Sequence, residues 1–177
     1  MEHDFYADLE TSSGLAQHPF WLDVYTCVFP FIDSVEYVTD LDKQRQGIDR
    51  LLHSKQAGVT YSVEEKVRYK DYPDFLLETI SNDATSTAGW IEKDLSCDYF
   101  SYLVTPIRRV YVMRWKDLRG AWILNKDRWT QRHGTILALN KGYNTVSVPV
   151  PIRSVASLVK IRCVQYLEGR WLLVPLD

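Results

Sequence analysis

The hydrophobic period of this chain changes at Gly47, and that change limits the order in which its elements can form. Ahead of it, Phe20, Val24, Cys27 and Val28 recur at helical spacing behind Pro19, a residue suited to a first turn, and Glu2 to Ser12 reads as a shorter helix before them. Pro30 stops the second helix, Val35 to Val38 reads as a first strand, and Asp40 to Gln46 as a polar connection. From Gly47 the period is two. Ile48 to His53 and Val59 to Arg68 flank Ser54-Lys55-Gln56-Ala57-Gly58, the pattern of a β-hairpin. Helices first, strands in the middle and mixed elements afterwards predict an α/β or α+β fold, with a central mixed sheet flanked by helices.

Beyond the hairpin, Asp74 to Ile80 is expected as a third strand pairing with it, and Ser81 to Ala88 as a polar loop. Asp98 to Thr105 suits helix and strand equally, whereas Arg109 to Met113 is clearly a strand. Trp115 to Trp129 predicts two helical pieces broken near Leu124 to Asp127, with Trp115, Trp122 and Trp129 spaced to line a core face. His133 to Asn140 and Tyr143 to Val150 read as extended segments joined at Lys141-Gly142, and Ile152 to Val159 as a short helix. Ile161 to Leu167 and Arg170 to Val174 form a second hairpin signal around Glu168-Gly169. A length of 177 residues, with 46 % apolar residues and no linker or repeat, predicts one domain over 1–177.

No apolar run approaches the roughly 20 residues that a membrane helix needs, so no membrane is expected as partner. Glu2, Asp4, Asp8 and Glu10 stand where a secretory signal would be basic, and Cys27, Cys97 and Cys163 are odd in number and widely spaced. These features predict a cytoplasmic protein with reduced thiols. Charge is unevenly divided: residues 1 to 42 hold acids and no Lys or Arg, so all 21 basic residues lie beyond them. The basic part can attract phosphates, and the acidic N-terminal segment offers a surface for a protein partner.

Gly47-Ile48-Asp49 and Val63-Glu64-Glu65-Lys66-Val67 hold the chemistry. On a strand Glu64 and Lys66 share a face, and hairpin pairing can bring Asp49 beside them. Two carboxylates on adjacent strands can hold a hard divalent cation, and an ammonium group next to it can orient a water or stabilise a phosphoryl transition state. Lys66 is the one lysine of the chain with an acid two residues before it. Asp74 and Glu78 lie nearby in sequence and read mainly as a polar edge, and His53 as a structural histidine. Arg108, Arg109, Arg114, Lys116, Arg119, Lys126, Arg128 and Arg132 form a basic stretch whose aromatics read as core and whose arginines as its solvated side.

This arrangement resembles the PD-(D/E)xK nuclease superfamily, in which an acid on one strand precedes an acid-x-Lys on the next. Asp49 matches the first acid, Glu64 the second and Lys66 the lysine; Gln44, Gln46 and the run Tyr69 to Glu78 are similar to the surroundings of the motif in small bacterial and phage members. Residues 35 to 115 carry the resemblance. It implies a restriction-endonuclease-like core and a nuclease hydrolysing phosphodiester bonds, with DNA as the nucleic acid ahead of RNA. Asp49, Glu64 and Lys66 would be catalytic. Mg²⁺, or Mn²⁺ in its place, would be held by Asp49, Glu64 and the backbone carbonyl of Glu65. Arg68, Lys70 and Gln46 are the candidates for substrate contact, and the resemblance admits a homodimer. Ile48 stands where the family name has proline, and the acid that many members add from an N-terminal helix has only Glu10 and Asp23 as candidates. The alternatives are a catalytically inactive nuclease-fold protein that binds nucleic acid or a protein partner, and an unrelated enzyme with paired carboxylates such as a glycosidase.

Overall fold

The structure, a computed structural model, describes residues 12–176. Helices α1 (Ser12–Ala16) and α2 (Phe20–Val28) come first, followed by β1 (Ile32–Tyr37), α3 (Leu41–Arg45), β2 (Arg50–Ser54) and β3 (Thr60–Arg68). Then come β4 (Asp74–Asn82), β5 (Thr87–Ala88), β6 (Tyr99–Val104), β7 (Arg109–Arg114) and the long α4 (Trp115–His133). The chain continues with β8 (Ile136–Asn140), β9 (Tyr143–Pro151), α5 (Ile152–Ala156), β10 (Ile161–Leu167) and β11 (Arg170–Val174). A 7-stranded mixed sheet has the order β1-β2-β3-β6-β7-β10-β11, and a 4-stranded sheet the order β5-β4-β9-β8. The expected α+β class with a mixed sheet is what forms. The helix expected at Glu2 to Ser12 lies outside the described residues except for Ser12, which opens α1.

β3 and β6 run parallel, in the register Val63↔Tyr99 to Arg68↔Val104. Parallel neighbours need a crossover. Here the crossover carries β4 and β5 out of the large sheet, so β4 pairs with β9 and β5 and not with the hairpin as its sequence suggested. β4 also runs on to Asn82 and pairs with β5, so strand replaces part of the loop expected at Ser81 to Ala88.

The large sheet is a middle layer between two cores. On one face α2 buries Phe20, Trp21, Val24, Tyr25 and Val28 against Val63, Leu103, Val112 and Val164. Each such side chain contributes about 1.5–3 kcal/mol by leaving water, and the Trp21 indole N–H is satisfied by the Leu15 carbonyl at 3.0 Å. On the other face Phe100, Tyr102, Tyr111 and Met113 pack with Phe75, Leu77, Val148 and Val150 of the small sheet and with α4. β6 is buried on both faces, which removes the alternation that marks a strand and explains its ambiguous sequence.

Two further expectations change. Asp40 to Gln46 contains a helix, because the Asp40 carboxylate accepts the Asp42 and Lys43 backbone N–H groups as an N-cap. α4 is continuous through Leu124 to Asp127: neither Pro nor Gly interrupts it there, the Asn125 amide donates to the Ala121 carbonyl at 2.9 Å, and the polar residues face solvent. Trp115, Trp122 and Trp129 are buried, as their spacing required. No described helix is long and apolar enough to cross a membrane.

Candidate functional site

The site forms where β2 begins beside the middle of β3. Gly47 turns the chain out of α3 at φ +80° and lies against Leu95, whose Cβ would stand 2.8 Å from any added Cβ, so only glycine fits. Asp49 then donates its backbone N–H to the Val63 carbonyl at 2.9 Å. The β2–β3 ladder goes no farther along β3 than Val63, leaving the next N–H on that side, Glu65, without a strand partner. The Asp49 side chain takes it: Oδ2 accepts the Glu65 N–H at 2.8 Å. Since the N–H and C=O of a strand residue leave on the same side, the Glu65 carbonyl opens on the same edge as the Asp49 carboxylate.

Glu64 is 4 % exposed, and its carboxyl shares a hydrogen bond with Asp49 and an ion pair with the Lys66 ammonium. Burial, and then the charge of Asp49, push the Glu64 carboxyl up to about 7 against the opposing pull of Lys66. Burial is also the largest influence on Lys66 and disfavours the ammonium, but Glu64, Asp49 and Glu78 together outweigh it and raise the pKa above the ordinary lysine value. Asp49, Glu64 and Lys66 are thus brought together, as the sequence predicted.

Glu78 of β4 joins them from the small sheet. Burial raises its pKa, Lys66 opposes the rise, and the Trp90 backbone N–H donates to its carboxylate. The turn that brings Trp90 there requires Gly89, because a Cβ would meet the Glu78 carbonyl oxygen at 2.2 Å. Glu78 read as a polar edge in sequence; only the crossover places it near Lys66. Cys97 lies close as well: burial, then the charge of Glu64, push its thiol up to about 12.

Glu65 points the other way. Its carboxylate takes Arg50 through both oxygens, at 2.7 and 3.0 Å, and the Tyr25 hydroxyl donates to it at 2.6 Å. Its backbone N–H is the group that bonds Asp49. Sequence reasoning did not find this Arg50–Glu65–Tyr25 network; the available signal was an arginine beside Leu51 and Leu52 on the first strand of the hairpin.

The expected substrate contacts are less concentrated. Arg68 is ion-paired with Asp74 at 3.0 Å and lies over the Tyr72 ring, so its charge is already engaged. Lys70 is exposed in the connection to β4, and Gln46 is exposed at the end of α3, its carbonyl accepting the Ser96 N–H. His53 bonds Thr60 and Glu36, away from Asp49, and the long basic stretch is spread along β7 and α4. Of the acids considered for the N-terminal ligand, Asp23 is exposed beside Cys27 and Glu10 lies outside the described residues.

A cleft of about 360 Å³ is lined by Asp49, Glu65 and Lys66 together with Leu15, Tyr37 and Gln44, and Glu64 lies behind this lining. Among the described residues no group of three His, Cys, Asp or Glu side chains is placed to hold a metal ion. The donor set is therefore two carboxyls and one carbonyl. It suits a hard cation that keeps several waters, which would take the place of the hydrogen bond between Asp49 and Glu64. Compared with protein-family models, curated proteins and solved structures, the chain finds no match in any of the three.

Proposed function

We propose that this chain is a divalent-cation-dependent nuclease that cleaves phosphodiester bonds, DNA before RNA, at Asp49, Glu64 and Lys66. The observation that carries this reading is the joining of these three side chains, from just before β2 and the middle of β3, into one hydrogen-bonded cluster of which Asp49 and Lys66 line a cleft. The resemblance to PD-(D/E)xK nucleases supports the same roles.

Asp49 and Glu64, with the Glu65 carbonyl, would hold Mg²⁺ or Mn²⁺. When bound, such an ion supplies charge to the phosphoryl oxygens and lowers the pKa of a coordinated water. Lys66 keeps its proton on Nζ, held there by Glu64, Asp49 and Glu78, and presents N–H donors to the water or to the phosphoryl oxygen on which charge develops. The Glu65 backbone N–H holds Oδ2 of Asp49, and the ion would replace the hydrogen bond between the Asp49 and Glu64 carboxyls.

The test compares the wild type with Asp49→Ala and Lys66→Ala on linear, circular and branched DNA, with and without Mg²⁺. Cleavage by the wild type alone, and only with the cation, is expected. Equal and cation-independent behaviour of all three removes the catalytic assignment. A second reading, a catalytically inactive chain that binds nucleic acid or a protein partner, draws support from the ion pairs of Lys66 with Glu64 and of Arg68 with Asp74. It predicts no heat of Mn²⁺ binding that depends on Asp49 and Glu64.

A further inference from the structure

Among the described residues, no strand pairs with the outer edge of β8. Every residue of Ile136–Asn140 is exposed, Leu137 by 57 % and Leu139 by 81 %, and the strand carries neither charge nor proline. Edge strands are usually blunted by charge, proline or cover, because their free backbone groups template further pairing. On its inner side β8 pairs with β9 in the register Ile136↔Ser147, Ala138↔Thr145 and Asn140↔Tyr143. The two-residue connection Lys141-Gly142 makes Asn140 and Tyr143 a hydrogen-bonded pair, and by alternation Ala138 and Ile136 also turn their backbone groups to β9. β9 agrees: the carbonyl of Asn144, of the alternate set, accepts the Asp83 backbone N–H on the far side. The N–H and C=O groups of Leu137 and Leu139 therefore point out of the sheet, past the open edge.

We propose that this edge is a self-pairing interface: two copies of the chain join antiparallel through Ile136–Asn140 about a two-fold axis at Ala138, making the two 4-stranded sheets continuous. An antiparallel edge is complementary to itself under a two-fold, which makes a second copy the fitting occupant. With the axis at Ala138, the outward-pointing Leu137 of one copy exchanges hydrogen bonds with Leu139 of the other, and the reverse. The small Ala138 residues meet at the axis, Ile136 faces Asn140, and Lys141 faces Thr135. No like charges oppose one another. An axis at Leu137 would instead set Lys141 against His133. The proposal does not depend on the nuclease reading.

An interface centred on a five-residue strand belongs to the small class, below about 1,200 Å². Association should accordingly depend on concentration. Sedimentation equilibrium from low micromolar to near-millimolar protein should show a monomer–dimer equilibrium, which Leu139→Lys abolishes without altering the unfolding curve. Directly opposed residues outside the hydrogen-bonded pairs come within disulfide reach, so Ala138→Cys should cross-link on mild oxidation well above the wild-type background, and Leu137→Cys should not. A chain that is monomeric at every concentration would overturn the proposal. A dimer that survives Leu139→Lys, or Leu137→Cys cross-linking as fast as Ala138→Cys, would overturn it equally.

Discussion

Burial and the charge of Asp49 raise the Glu64 carboxyl well above the ordinary carboxylate range, which gives the site a readable signature. Its carboxyl is raised from 4.5 to about 7, with Asp49, Lys66 and the Cys97 thiol as the titratable neighbours that face it. Between those two values the folded chain keeps a proton that the unfolded chain has released. Stability from this group is therefore complete below the unfolded value and is lost as pH rises through about 7. In chelator, the melting temperature should fall across that window and Glu64→Gln should flatten the fall; identical pH profiles for the two would refute the assignment. On the opposite face, removing Arg50 leaves the buried Glu65 carboxylate without its cation. Arg50→Ala should cost about 3–5 kcal/mol in denaturant unfolding, and a cost near zero would contradict the burial of this pair.

At the scale of elements, the β2–β3 hairpin and α4 behave differently towards substitution. Gly47→Ala forces a side chain into left-handed backbone and against Leu95, and should destabilise by at least about 1 kcal/mol while displacing Asp49. Cation affinity should drop with it. In α4, Trp122 is buried and its indole N–H reaches Glu92 at 3.1 Å, whereas Leu124 is 85 % exposed. Trp122→Ala should cost about 3–5 kcal/mol, and Leu124→Ala should stay within about 0.5 kcal/mol. The contrast checks that α4 is one helix with one buried face. The break expected near Leu124 to Asp127 rested on the preference of Asp127 for a cap, a weak local bias that the packing of the three tryptophans on a single stripe overrides.

At the scale of the whole molecule, the candidate site sits where two sheets approach, and a ligand there should stabilise the entire fold. Mn²⁺ at about 100 times its dissociation constant should raise stability by about 2.7 kcal/mol through mass action. Thermal melts would read this gain, which Asp49→Asn and Glu64→Gln should abolish. Much of the arrangement was legible in the chain itself. Alternation after Gly47 gave the hairpin, side-chain period two put Glu64 and Lys66 on one face, and turn residues marked Lys141-Gly142 and Glu168-Gly169. These are local consequences of backbone geometry, which neighbouring residues determine among themselves. The partner of β4, the approach of Glu78 to Lys66, the Arg50–Glu65–Tyr25 network and the open edge of β8 were decided by tertiary structure alone. Each depends on which distant surfaces meet once the parallel β3–β6 pairing sends its crossover into a second sheet. Apolar burial drives such a choice without direction, so no local spacing encodes it.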